Sequence, residues 1–262
     1  MTFEQEHSSI KKEPLRKSKG FFYKSNRLIS YQIGNLFFHY LPTYNYNSVI
    51  FMFENEIAYS LHNADILFIE HFFDETEADA LFKELIDTTA WQQGEITIFG
   101  KKVLEPRLTA WYGDAGKAYK YSGKTNIALA WNAPLLQIKH KIEEKIPPSR
   151  LSRDVPSVFL TEKPFFNSVL LNLYRNGTDS MGFHSDDEPE LGKNPVIASV
   201  NFGESRRFIF RRKDDKTVKH ELLLTHGSLL IMAGEMQHYW QHGVPKELNK
   251  TKPRINLTFR TI

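Results

Sequence analysis

The chain has 262 residues and no cysteine. Disulfides, thiolate zinc sites, cysteine-ligated iron–sulfur clusters and cysteine nucleophiles are thereby excluded. A reducing compartment agrees with this, so the cytoplasm, or the nucleus in a eukaryote, is the expected location. Neither sign of charge dominates: 34 Lys and Arg against 31 Asp and Glu leave a formal charge of +3, with a pI near 8.8. That balance permits a nucleic-acid partner without requiring one. Long apolar runs are also missing, since none approaches the ~18 residues that span a bilayer. Val49-Ile50-Phe51-Met52-Phe53 is too short and too far along the chain for a signal peptide. No membrane partner is expected, no internal repeat is evident, and a monomer is the simplest expectation.

What is abundant is aromatic: 13% of residues, with 20 Phe and 11 Tyr. Aromatics suit β-rich cores and, where exposed, base stacking. Hydrophobic residues at 41% allow a sizeable core, arranged as one large domain or one domain plus an extension. Lys11, Lys12, Arg16, Lys17 and Lys19 form a basic cluster in a polar first stretch. It reads as a poorly ordered, solvated arm or a weak phosphate or membrane contact. Residues 21–63 are aromatic-rich with turn-like clusters such as Leu41-Pro42-Thr43-Tyr44-Asn45, suggesting short strands or irregular structure.

The pattern sharpens at Ile66-Leu67-Phe68-Ile69, a short buried strand. Asp74 with Glu77 three residues on has capping-box spacing. Ala78, Leu81, Phe82, Leu85 and Ile86 then recur at helical spacing. Ile96 to Lys102 predicts a hairpin turning at Phe99-Gly100, and Pro134 to Ile146 a second amphipathic helix stopped by Pro147-Pro148. From Phe166 onward short strands follow one another: Ser168–Tyr174, Val196–Phe202, Arg207–Arg211, Glu221–Leu224, Ser228–Met232 and Ile255–Arg260. Turns such as Asn176-Gly177 and His226-Gly227 separate them. This spacing indicates a sandwich or jelly roll, with the preceding helices packed on one side.

Chemistry-bearing residues gather in the last third. His184-Ser185-Asp186 precedes His242, and Arg254 and Arg260 follow. Two histidines and one carboxylate on one face of a metal leave the opposite face open, as in non-haem Fe(II) oxygenases. The arginines add planar forks suited to a dicarboxylate co-substrate. A His-x-Asp pair alone is a weak signal, because polar loops produce it often. Residues i and i+2 of an extended segment share a face, however, so His184 and Asp186 can chelate together while Ser185 turns away.

Three later histidines compete for the third position. His226 precedes Gly227 at a strand start, where a turn role is simpler. His238 and His242 share a face whether the segment is helix or strand, so spacing leaves both open. His242 is favoured because Arg254, twelve residues on, can serve the same pocket. A surface or structural role for all three is the plain alternative. Along the last strand, Arg254, Asn256, Thr258 and Arg260 share one face and Ile255, Leu257 and Phe259 the other. Turned inward, the polar row would be costly unless paired, and a bound dicarboxylate would pair it. A solvent-exposed face is the alternative.

Several motifs in order resemble the AlkB-type dioxygenases. They are Leu171-Asn172-Leu173-Tyr174-Arg175-Asn176-Gly177, Phe183-His184-Ser185-Asp186-Asp187-Glu188-Pro189, Ile197-Ala198-Ser199-Val200-Asn201-Phe202-Gly203, His226-Gly227-Ser228-Leu229-Leu230-Ile231-Met232, Trp240-Gln241-His242 and Pro253-Arg254-Ile255-Asn256-Leu257-Thr258-Phe259-Arg260. Upstream, Pro106-Arg107-Leu108-Thr109-Ala110-Trp111-Tyr112-Gly113-Asp114 is similar to the substrate lid of the branch holding the second and third human AlkB homologues. The resemblance covers residues 66–262, with a lid at about 95–125 and a catalytic core at about 165–262. Residues 1–65 form an extension of unknown role, expected to be partly disordered.

The resemblance implies an α+β fold, a double-stranded β-helix (jelly roll) core with helices buttressing one side, using Fe(II), 2-oxoglutarate and O2. His184, Asp186 and His242 would hold the iron, with no separate acid–base residue. Arg254 and Arg260 would clamp 2-oxoglutarate, with Asn172, Tyr174 and Asn256 hydrogen-bonding it. The implied activity is oxidative demethylation of N1-methyladenine and N3-methylcytosine in alkylated DNA, with RNA a further candidate, releasing formaldehyde, succinate and CO2. Such chemistry needs the lesion flipped out of the stack.

Tyr119, Tyr121 and Ser122 match the lid's base-binding positions. Asp187 and Glu188 would contact the base's exocyclic amine or orient Arg107, or else balance local arginines. Phe99, in Ile98-Phe99-Gly100, resembles an apolar finger inserted where the base leaves, or packs on the core as an ordinary hairpin residue. Trp240-Gln241-His242 and Asp187-Glu188-Pro189 resemble instead the branch that prefers single strands, so strand preference stays open. Lys101, Lys102, Lys117, Lys120 and Lys124 would meet phosphates or simply solvate the lid. Two other functions compete: the same oxygenase acting on RNA or protein, and a module that binds methylated bases without turnover.

Overall fold

The computed structural model describes residues 29–33, 36–40, 49–53, 56–98, 100–116, 118–121, 124–145 and 166–262. The basic arm expected near the N-terminus lies outside them, as do Phe99, Lys117 and Ser122. In chain order come β1 (Ile29–Ile33), β2 (Leu36–Tyr40), β3 (Val49–Phe53), β4 (Glu56–Leu61), β5 (Ala64–Ile69) and helix α1 (Glu75–Thr88). Next are β6 (Glu95–Ile98), β7 (Lys101–Leu104), β8 (Leu108–Gly113), β9 (Ala118–Tyr121), β10 (Lys124–Ile127), β11 (Leu129–Ala130) and helix α2 (Ala133–Lys145). The last third supplies β12 (Ser168–Tyr174), β13 (Met181–His184), β14 (Ile197–Gly203), β15 (Arg206–Arg212), β16 (Lys219–Leu224), β17 (Ser228–Ala233), the short helix α3 (Met236–Tyr239), β18 (Trp240–Val244) and β19 (Arg254–Arg260).

Among the described residues nine strands form the main sheet, in the order β11-β8-β12-β19-β14-β17-β5-β4-β3, and four form a second sheet, β13-β18-β15-β16. Alternation along the central strands decides what each face meets. Val169, Leu171 and Leu173 of β12, Ala198 and Val200 of β14 and Ile255, Leu257 and Phe259 of β19 join one apolar cluster. Leu81 and Leu85 of α1 and Leu135, Ile138 and Ile142 of α2 pack into the same cluster. Both helices therefore cover one face of the main sheet, as the sequence predicts. The opposite face meets the second sheet through another cluster, where Phe68, Leu230 and Met232 pack with Phe210, Leu222, Leu224 and Trp240. This is the jelly-roll arrangement, and the end of the interlayer space left unfilled by that cluster becomes the pocket.

Local chemistry follows the expected rules, with one change. Asp74 caps α1 by accepting from the Glu77 backbone N–H at 2.9 Å. Glu77 does not close a reciprocal box; its carboxylate bonds Lys141 on α2 and joins the two helices. The β6–β7 hairpin turns where predicted, and Gly100 adopts a φ of 77°, the left-handed region open to glycine. The stretch assigned to the N-terminal extension includes β3 and β4, and β4 pairs with β5 from Glu56↔Ile69 to Leu61↔Ala64. Those strands thus prolong the main sheet.

Candidate metal centre and active site

β13 and β18 run antiparallel, and their register sets His184 opposite His242. The two rings lie 4.4 Å apart between centroids. Asp186 sits two residues beyond the end of β13, so the two ligands of the His-x-Asp pair do not share one regular strand. A hydrogen bond substitutes for the strand: the Asp186 backbone N–H donates to Gln237 Oε1 at 2.9 Å. Ser185 turns away as expected and donates its hydroxyl to the Trp240 carbonyl at 2.8 Å. Asp186 Oδ1 lies 3.7 Å from His184 Nε2, and Oδ2 lies 3.9 Å from His242 Nε2. One ligand atom from each of these three residues falls within 4.8 Å of the others, the group among the described residues that could hold a metal ion.

The competing histidines are placed elsewhere. His226 accepts from the Gly203 backbone N–H at 2.8 Å and faces Asp79 at 3.2 Å, a turn role. His238 is exposed on α3.

The cluster's electrostatics prepare it for a cation. Burial opposes ionisation of Asp186, yet Arg260 first, and either histidine when it carries a proton, hold its carboxyl down at about 2. Arg260 Nη2 reaches Asp186 Oδ1 at 3.0 Å. Burial, aided by His184, pulls His242 down to about 3, so its imidazole is neutral with a lone pair to offer. His184 Nδ1 lies 3.0 Å from the Gly182 carbonyl oxygen. A proton there directs the Nε2 lone pair toward Asp186 and His242. The His242 ring also stacks on Phe208 at 5.3 Å, which fixes its plane.

Below the cluster, the polar face of β19 lines the same pocket. Arg254, Asn256, Thr258 and Arg260 contribute from β19, and Leu170, Asn172 and Tyr174 from β12. β12 and β19 are in register, with Asn172↔Asn256 and Tyr174↔Arg254 opposite each other. All four polar β19 side chains are buried, which removes the solvent-exposed alternative. Arg254 lies over the Tyr174 ring at 5.0 Å and donates Nη2 to Asn201 Oδ1 at 2.5 Å. Its Nε and Nη1 are buried without an acceptor. Burial pulls this guanidinium down to about 10, which still leaves it charged at neutral pH. A buried cation with two donors aimed at nothing fits a carboxylate, and Arg presents them as a fork. The Asn256 amide is engaged within the sheet, donating to Ser199 Oγ at 2.7 Å and Asn201 Oδ1 at 3.1 Å.

The expected substrate residues divide. Arg107 is buried and donates Nε to Asn172 Oδ1 at 2.8 Å, so it reaches the pocket wall. Its nearby carboxylate is Glu105, at 3.6 Å. Asp187 points elsewhere, to Lys213 at 3.0 Å, which corrects the idea that it orients Arg107. Glu188 lines the pocket. Tyr119 and Tyr121 stand on β9 opposite Asn126 and Lys124. Lys101 and Lys102 are exposed on β7. Sequence reasoning missed Glu105, Ser199, Asn201, Phe208 and Gln237. Ser199 and Asn201 carried a signal, two polar residues at period 2 in an otherwise apolar strand. Gln237 carried none.

Comparison with known proteins bears on this arrangement. The profile of the 2OG-Fe(II) oxygenase superfamily matches residues 65–260. The mouse protein named DNA oxidative demethylase ALKBH2 is 36% identical over 200 residues, covering 72% of this chain and 77% of that protein. This chain is an AlkB-type member of the 2OG-Fe(II) oxygenase superfamily. The bovine and human alpha-ketoglutarate-dependent dioxygenase alkB homolog 3 are 42% and 40% identical to it, over 73% of this chain. The chain spans 64% of the length of those two relatives. The solved structure of OsALKBH1 superimposes with a TM-score of 0.55 at 17% identity, covering 75% of this chain and 96% of that one, and supports the fold.

Proposed function

We propose that this protein repairs alkylated nucleic acid by oxidative demethylation of N1-methyladenine and N3-methylcytosine. One observation carries the reading: a buried His184–Asp186–His242 cluster shares its pocket with Arg254, whose Nε and Nη1 lack an acceptor. The donor set fits Fe(II) and the arginine fits a carboxylate of 2-oxoglutarate. When bound, Fe(II) and 2-oxoglutarate supply O2 activation, in which decarboxylation to succinate and CO2 accompanies hydroxylation of the N-methyl group, later lost as formaldehyde.

The chain's own residues do the rest. His184, with Nδ1 beside the Gly182 carbonyl, turns its Nε2 lone pair inward. Asp186 stays ionised beside Arg260. Arg254 anchors the co-substrate from the floor, and the Tyr174 ring under it limits its swing. Met181, Phe208, Leu224, Met232 and Val244 keep the remaining wall apolar. The flipped base would enter from the lid side, where Arg107 meets Asn172 and Glu188 faces the pocket. The β6–β7 hairpin carries exposed Lys101, Lys102, Val103 and Leu104, a mixture suited to phosphates and to a gap in a stack.

The test incubates the purified chain with Fe(II), 2-oxoglutarate and oligonucleotides bearing either lesion, as single and double strands of DNA and as RNA. Mass spectrometry should record loss of the methyl group, abolished in His184→Ala and Asp186→Ala. Iron-loaded protein that demethylates none of these oligonucleotides sinks the proposal. Phe99→Ala should slow duplex turnover more than single-strand turnover; an equal change on both removes the finger.

A further inference from the structure

The stretch matched by the superfamily profile begins at residue 65. Just before it, His62 and Asn63 form the turn between β4 and β5. Three hydrogen bonds tie that turn down, two to strands of the second sheet and one to the residue before α3. The Trp240 indole N–H donates to the His62 carbonyl at 3.1 Å. Arg212 Nη1 donates to the same carbonyl at 3.4 Å. The Asn63 side-chain amide donates to Glu235 Oε2 at 2.5 Å. Asn63 has a φ of 61°, in the left-handed region, which aims the turn at its partners.

The partners lie at the root of the metal centre. Glu235 is the residue before α3, and α3 carries Gln237, which receives the Asp186 backbone N–H. Trp240 begins β18 and is 2% exposed. Its carbonyl receives the hydroxyl of Ser185, the residue between the two paired ligands. Two residues on is His242 itself. The turn therefore holds the start of α3 and the start of β18, and those two places fix Asp186, Ser185 and His242. Asp186 lies outside β13 with no strand partner, so beside the Arg260 ion pair to its side chain, the Gln237 contact is what holds its backbone.

We infer that the His62–Asn63 turn is a positioning element of the metal centre, supplied by chain N-terminal to the superfamily match and acting through Trp240 and Glu235. The inference rests on the iron reading of His184, Asp186 and His242. Partners bonded directly to metal ligands change affinity by roughly 10- to 100-fold, and the low end of that range is expected for a turn one contact further out.

The test measures Mn(II) affinity of the full-length, metal-stripped protein by calorimetry, alongside its thermal midpoint. Asn63→Gly keeps the left-handed backbone and removes the amide; Trp240→Phe keeps a buried ring and removes the N–H donor. The double variant should bind Mn(II) about tenfold or more weakly. Each single variant should show part of that loss, and the singles decide the matter if the double does not fold. Leu81→Ala, in α1 on the far face of the main sheet, is the control: it should lower the midpoint and leave Mn(II) affinity within twofold. Unchanged affinity in the folded Asn63 and Trp240 variants overturns the inference and leaves the site intact. So does an equal loss in Leu81→Ala, because general destabilisation would then explain it. Wild-type protein that binds no Mn(II) overturns the site itself and this inference with it.

Discussion

The two faces of β19 are equally buried and do opposite things. Ile255, Leu257 and Phe259 pack into the helix-covered core. Arg254, Asn256, Thr258 and Arg260 line the pocket. Burial of the first set removes apolar surface from water and stabilises the fold. Burial of the second set costs desolvation, met only in part by Asn201, Ser199 and Asp186. Stability and ligand affinity are thus separable at adjacent residues of one strand. The apolar face has its partners in the fold itself, whereas Arg254 keeps donors for a ligand.

Two substitutions try that separation directly, and two more probe packing and burial elsewhere in the fold. Leu257→Ala opens a cavity under both helices and should cost about 2–5 kcal/mol of stability in denaturant titration. The protein that remains folded should keep its 2-oxoglutarate KM; a KM that rises with the stability loss would tie the two faces together. Arg254→Met should do the reverse. Removing one partner of a buried charged contact costs about 2–5 kcal/mol of binding, so the KM for 2-oxoglutarate should rise by about thirtyfold or more. Stability should hold or improve, because an apolar side chain of similar length replaces a desolvated charge. Asn201 Oδ1 keeps its bond from Asn256, so no new orphan is left there. A large fall in thermal midpoint would mean that Arg254 is structural.

A smaller effect is expected at Gly177. A Cβ there would lie 1.7 Å from the Glu247 carbonyl oxygen. The Gly177 carbonyl accepts from the Glu247 backbone N–H, and the Gly177 N–H donates to the Lys250 carbonyl, in the loop that seats Glu247 against Arg206. Gly177→Ala should cost about 1–3 kcal/mol through overpacking, read as a shift in midpoint. No shift would show that the loop is free to move.

The smallest effect concerns pH. Burial lowers His220, whose ring stacks on Phe210 at 5.3 Å. A folded pKa below the unfolded value means that the unfolded chain binds the proton first. This contribution is complete above the ordinary histidine pKa of about 6.5 and is lost as pH falls below it. His220→Phe should flatten the midpoint between pH 7.5 and 5.5, to about the extent that one histidine allows. An unchanged slope would assign the acid sensitivity to other groups.

Much of the scaffold was legible in the chain. Ser168–Tyr174 was legible as a strand, and period-2 alternation in Arg254–Arg260 sorted its residues onto two faces correctly, because a strand has only two. Asp74 marked the start of α1, since a side-chain acceptor at that position satisfies a helix N–H that nothing else reaches. The choice of His242 over His238 was different. Four-residue spacing suits a helix and a strand alike, and the break between α3 and β18 falls between the two residues. Orientation of Arg107 by Asp187 and a reciprocal capping box at Glu77 did not form, because charged side chains find partners across elements, here Lys213 and Lys141.

What the sequence by itself determined, then, is the succession of strands in the last third, the two faces of β19 and the residue types of the donor set, histidine, carboxylate and arginine. These are local properties, set by backbone geometry and residue chemistry. Tertiary structure alone decided that Gln237 holds the Asp186 backbone, that Arg107 reaches Asn172, and that a turn at His62–Asn63 reaches the root of β18. Those contacts join residues far apart in the chain, and only the closing of one sheet over the other brings them within hydrogen-bond distance.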